Sequence, residues 1–194
     1  MMEQSSSVTP ASSRAGSLSS GSVSGGTADP AVAGPFVVAP PLTATIDLSG
    51  AMVAVEEFAP QGAVGARPVV IIAPGFRLPV SQYRNYARRL ASHGFIAVLV
   101  AYDAGLFNVN HLQNARELLA AVDWVTSRNG VPVDAARVGA MGHSLGGKLA
   151  LHAATLDPRI KAVLGVDPVD GAMGCSAANC PDVSDLMSSL VIST

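Results

Sequence analysis

Gly142-His143-Ser144-Leu145-Gly146-Gly147 decides how this chain is read. It has the form G-x-S-x-G, in which a serine sits on a sharp turn between a strand and a helix. The flanks supply both elements: Arg137-Val138-Gly139-Ala140-Met141 leads in as a strand, and Leu145 to Leu156 leads out as a run of helix formers. Strand and helix meet closely at such a turn, so positions 142 and 146 must lack a side chain, and both are glycine. A helix opening at Leu145 aims unpaired amides and the positive end of its dipole at the serine, which favours an oxyanion forming there. The stretch therefore points to Ser144 as a nucleophile for acyl transfer. The bland alternative is a glycine-rich turn with a solvated serine. A phosphate-binding loop fits Gly142, Gly147 and Lys148, but that motif needs a hydroxyl on the next residue, and position 149 is leucine.

Outward from the turn, strands and helices alternate. Val69-Val70-Ile71-Ile72-Ala73 and Phe95-Ile96-Ala97-Val98-Leu99-Val100 are continuous apolar runs, as strands covered on both faces of a parallel sheet require. Between them, Ser81 can cap a helix with Tyr83, Tyr86, Ala87 and Leu90 on one face, stopped by Gly94. Asn110 opens a longer helix carrying Leu112, Ala115, Leu118, Leu119, Val122 and Val125, ended by Asn129-Gly130 and Pro132. Ile160 to Val166 reads as a fourth parallel strand, after Arg137 to Met141 as the third. Upstream, Thr43 to Leu48 and Met52 to Phe58 flank Ser49-Gly50 as an antiparallel hairpin. The succession predicts an α/β fold with a mostly parallel, doubly wound sheet behind an N-terminal hairpin. Ligands bind such sheets at the carboxyl ends of the strands. Pro74-Gly75-Phe76, Ser144 and Asp167-Pro168-Val169-Asp170-Gly171 all fall on that edge.

Composition narrows the function. Residues 1–41 are rich in Ser, Gly and Pro and carry few large apolar side chains, which predicts a disordered tail before a domain at 42–194. A net charge of −2 with scattered basic residues gives no footprint for nucleic acid. No apolar run is long enough to span a bilayer, and no secretory signal is recognisable, so cytoplasm is the default and secretion stays open. Cys175 and Cys180, spaced C-x4-C, would close a small ring in an oxidising compartment or stay reduced in the cytosol. They have no histidine nearby, too few ligands for a metal site, and no cofactor is called for. The pattern sets no oligomeric state.

These segments resemble the α/β-hydrolase fold, and within it the branch of chlorophyllases, bacterial cutinases and polyester hydrolases, and acetylhydrolases of platelet-activating factor. The elbow followed by Lys148, with Gly165-Val166-Asp167-Pro168-Val169-Asp170-Gly171, is most similar to chlorophyllases; Ala91-Ser92-His93-Gly94-Phe95 is shared more widely. The resemblance covers roughly residues 42–194 and implies a serine carboxylic-ester hydrolase acting through an acyl-enzyme on a small-molecule or lipid-like ester. It implies Ser144 as nucleophile, held in an elbow of Gly142, His143 and Gly146. It implies the backbone N–H groups of Leu145 and Phe76 as oxyanion hole, and Asp167 as the acid, with Asp170 the nearby alternative.

In this fold the base histidine follows the acid in chain order. His93, His111, His143 and His152 all precede Asp167, so the base role is assigned to none. His93 and His111 read as solvated groups at helix ends, although His111 could border the cleft. His143 is the variable elbow position, and the resemblance to chlorophyllases implies that it packs beside the nucleophile without being its base; His152, two turns into the helix behind the serine, is expected to point away from the cleft. Leu190 to Thr194 reads as the start of another buried strand. The expectation is a partial hydrolase domain, with its C-terminal strand and helices missing, whose activity would be residual or which would serve as a non-catalytic binding module.

Overall fold

A computed structural model of the chain describes residues 29, 31–105, 109–128, 132–171 and 175–190. Six strands form one sheet in the order β1-β2-β4-β3-β5-β6. The hairpin of β1 (Leu42–Leu48) and β2 (Ala51–Phe58) is antiparallel, turning through Ser49 and Gly50, both at positive φ. β3 (Arg67–Ala73), β4 (Ile96–Ala101), β5 (Val133–His143) and β6 (Ile160–Val166) run parallel, and β2 joins them antiparallel along β4. The apolar runs at 69–73 and 96–100 are interior strands buried on both faces, as their composition predicted.

Helices cover the two faces unequally. α1 (Arg84–Ser92) lays Ala87 and Ala91 on Phe58, Ile72, Ala97 and Leu99. On the opposite face α2 (His111–Ser127) and α3 (Leu145–Leu156) pack on Val53, Val55, Val69, Ile71, Val98, Val100, Val138 and Ala140. Asn110 caps α2, its side chain accepting the Gln113 N–H at 3.0 Å. Gly94, at φ 94°, ends α1 in the left-handed conformation its position requires.

Three local expectations change. Ser81 is not a cap: a 3-10 turn spans Val80–Tyr83 and its side chain lies within it, while Tyr83, without a capping bond, precedes α1. Pro79 starts this turn, its fixed φ of −69° and its carbonyl, which accepts Gln82 N–H at 3.1 Å, setting the entry before Ser81 can act. β5 begins at Val133, with a register shift against β3 between Arg67 and Val69. A fourth helix, α4 (Val183–Ser189), was not anticipated, because its Ser-rich sequence lacks an apolar repeat. The stop signal at 129–130 and the strand expected over 191–194 lie outside the described residues, as do 1–28 of the expected tail. The end of that tail is docked: Phe36 N–H donates to Ser92 O at 3.1 Å, and Ala39 N–H to Ala59 O at 2.9 Å.

The chain passes from β3 to β4 on one side and then to β5 on the other, so β3 sits at a switch point and a crevice opens at its carboxyl end. Ala73 pairs with Gly142 in the β3–β5 register, which makes the Pro74–Phe76 loop and Ser144 leave the sheet side by side.

Candidate active site

Ser144 lies between β5 and α3 at φ 54° and ψ −122°, a conformation that favours glycine and is seldom occupied by other residues. Its neighbours permit it. A Cβ on Gly142 would fall 2.2 Å from the Gly146 carbonyl carbon, and one on Gly146 would fall 2.1 Å from Ala73 O. The backbone of Ser144 is held on both sides: its N–H donates to Val166 O at 2.9 Å, and its carbonyl accepts from Gly147, Lys148 and Val169 at 3.0, 3.2 and 3.3 Å. Leu145 opens α3, so its N–H is among the helix donors with no partner inside the helix.

Ser144, Leu145 and Phe76 line one cavity of about 360 Å³, together with Val109, His111, Val169 and Gly171. The side chains around it are mainly apolar. The loop that presents Phe76 is fixed by Tyr102 Oη, which donates to Pro74 O at 2.7 Å, and by Leu78 N–H, which donates to Gly75 O at 3.0 Å. Gly75 N–H donates to Tyr83 Oη at 3.0 Å, and the same hydroxyl meets His143 Nδ1 at 3.2 Å. His143 thus turns to Tyr83 rather than to the serine.

Asp167 follows β6 at φ 47° and is exposed, outside the residues lining the cavity. Asp170 is engaged: its Oδ1 accepts the Val183 N–H at 2.7 Å at the start of α4, and its carbonyl accepts the Lys148 ammonium. Lys148 is fully buried. A lysine held there cannot reach a ligand over the loop at 142–147, which removes the phosphate-loop reading. Among the described residues no group of three or more His, Cys, Asp or Glu side chains could hold a metal ion, and no helix is long and apolar enough to cross a membrane.

His111 is the main correction to the sequence reading. It is buried, 2% exposed, rather than solvated, and it lines the Ser144 cavity with its Nδ1 unpartnered. Burial, followed by the nearby charges of Lys148 and His152, pushes its pKa down to about 4, so the imidazole is neutral near pH 7. One contact next to it was not visible in the sequence: the Asn179 carbonyl, inside the ring closed by the Cys175–Cys180 disulfide, accepts the Leu112 N–H at 2.8 Å. His152 is buried behind the serine, and burial lowers its pKa too. His93 Nε2 contacts Val32 O at 3.0 Å. Among the described residues, no histidine hydrogen-bonds Ser144 or Asp167.

A positive-φ serine between a parallel strand and a helix, with a facing loop from the adjacent strand, is the arrangement to compare with known proteins. A family model described as PET hydrolase-like matches residues 20–188. The chain belongs to this PET hydrolase-like family, within the α/β-hydrolase superfamily. A bis(hydroxyethyl) terephthalate hydrolase of Streptomyces coelicolor is 37% identical over 106 residues, 54% of this chain and 34% of that protein. Cutinase est1 of Thermobifida alba is 32% identical over 105 residues, 51% of this chain and 34% of that protein. Chlorophyllase-1 of Arabidopsis thaliana is 32% identical over 120 residues, 55% of this chain and 37% of that protein. The PET hydrolase-like chain thus spans little more than a third of the length of these relatives. Among solved structures, a candidate dienelactone hydrolase from Klebsiella pneumoniae matches with a TM-score of 0.60 at 21% identity, covering 75% of this chain and 65% of that one, a likeness of fold.

Proposed function

We propose that the protein is a serine carboxylic-ester hydrolase that forms an acyl-enzyme on Ser144, with a small or lipid-like ester as substrate. The observation that carries this is the strained Ser144 backbone: a non-glycine residue at φ 54° persists only where its surroundings impose it. In the reaction, Oγ adds to the ester carbonyl, the C–O bond to the alcohol breaks, and the Oγ proton passes, in net balance, to the departing alcohol oxygen. Water then cleaves the acyl-serine. The N–H groups of Leu145 and Phe76 stabilise the oxyanion, worth about 2.7–4 kcal/mol per donor. Asp167 is the acid of this reading by its resemblance to the chlorophyllase pattern, with Asp170, whose Oδ1 accepts the Val183 N–H, as the alternative. The apolar cavity suits an acyl or alcohol group, in keeping with relatives named as terephthalate-ester hydrolase, cutinase and chlorophyllase.

The test is covalent labelling of the 194-residue chain with a fluorophosphonate, read by mass spectrometry of the peptide carrying residue 144. An adduct on Ser144, absent in Ser144→Ala, is expected. A chain that stays unlabelled under conditions that label a working esterase overturns the proposal. A second reading, a binding module that keeps the sheet edge without the chemistry, is favoured by the lack of any histidine on Ser144 among the described residues. It predicts no adduct.

A further inference from the structure

Lysine is almost never fully buried without a partner. Lys148 has no exposed surface, yet its Nζ donates to a neutral acceptor, the Asp170 carbonyl. The charges around it are mixed: Asp170 and Asp182 attract the ammonium, while His111 and His152 share its buried surroundings. A methionine would fill the same space without the desolvation cost of a buried charge. What the lysine adds is a directed, charge-assisted bond to one backbone carbonyl.

That carbonyl belongs to the loop that follows β6. The loop meets the elbow at two other points, through Val169 and Pro168, and the last residue of β6, Val166, adds a third. Val169 N–H donates to Ser144 O at 3.3 Å, and Val166 O accepts the Ser144 N–H at 2.9 Å. Pro168 packs on the first turn of α3, where a Cβ on Gly147 would sit 3.3 Å from its Cβ. Beyond the loop, the Asp170 carboxylate takes the Val183 N–H at the start of α4. Asp170 therefore joins two elements through two different oxygens, and the α3 side of the joint is Lys148.

We propose that Lys148 is a positioning residue: from within α3 its ammonium fixes the 167–171 loop, so that Asp167 and the cavity wall at Val169 and Gly171 stay in place beside Ser144. This rests on the esterase reading for its catalytic consequence, and on geometry alone for the tether.

The experiment compares the full chain with Lys148→Met and Lys148→Gln by two readouts, amide hydrogen exchange at Val169 and Val183 and the rate of fluorophosphonate labelling at Ser144. In Lys148→Met both amides exchange about tenfold faster and labelling slows about tenfold, with β3 and β4 amides unchanged. Lys148→Gln, which keeps a donor, recovers at least half of each loss. Parent-like exchange at Val169 and Val183 in Lys148→Met overturns the tether, as does a Gln variant as impaired as the Met one. Should Lys148→Met fail to fold, parent-like values of both readouts in Lys148→Gln support the tether, and slowed labelling with unchanged amide exchange overturns it. An unlabelled parent sinks the esterase reading alone, and amide exchange then judges the tether by itself.

Discussion

Tyr83 and His143, sixty positions apart in sequence, meet at 3.2 Å between Oη and Nδ1, and the same hydroxyl accepts the Gly75 N–H at 3.0 Å. The phenol thereby couples the elbow strand to the loop that carries Phe76. Tyr83→Phe leaves a buried amide without an acceptor, at a cost of about 1–3 kcal/mol. The expected outcome is lower stability in urea and slower labelling of Ser144, because the Phe76 amide loses its support. Unchanged values for both would show that the bond holds neither residue.

Relief of strain gives a second prediction. Ser144→Gly places the residue that tolerates φ 54° where the fold demands it. Strain of about 1–3 kcal/mol disappears, partly offset by glycine's freedom in the unfolded chain. We expect the variant to be more stable by about 1 kcal/mol in thermal unfolding and to give no adduct. A less stable variant would contradict the strain.

The glycine clearance sets a third. Gly146→Ala drives a methyl to within 2.1 Å of Ala73 O and 2.3 Å of Pro74 O, both backbone atoms with no freedom to swing away. A loss of about 3 kcal/mol or more is expected, with α3 displaced from β3. Equilibrium unfolding and circular dichroism check it; near-parent stability would mean the elbow is looser than described.

His111 makes stability depend on pH. Its folded pKa of about 4 lies below its ordinary value of 6.5, so between these the unfolded chain takes up a proton that the native chain refuses. Stability from this group is full above pH 6.5 and is lost as pH falls towards 4, by roughly 3 kcal/mol. His111→Phe should flatten most of that acid slope in urea titrations between pH 7 and 4. His152, also lowered by burial, leaves a smaller residual slope.

Much of this architecture was legible in the residues because local rules governed it. The runs at 69–73 and 96–100 are apolar throughout since both their faces are covered, and Gly142 and Gly146 announce a contact too close for any side chain. What escaped depended on distant partners. His111 starts a helix and by local pattern looks wet; its burial beside Lys148 and His152 of α3 comes from tertiary packing that spacing does not announce. The bond between Tyr83 and His143 leaves no mark in spacing. Helix α4 has one buried apolar residue, Leu186, and begins where Asp170 receives its first amide, so composition alone could not announce it.

The Cys175–Cys180 link has a practical corollary. Its ring grips the start of α2 beside Val109 and His111, which form one side of the chamber at Ser144. Material produced in a thiol-rich host and material produced in an oxidising one would therefore be two distinct reagents with differently braced chambers, and titrating free thiols belongs at the start of any purification whose product is to be assayed.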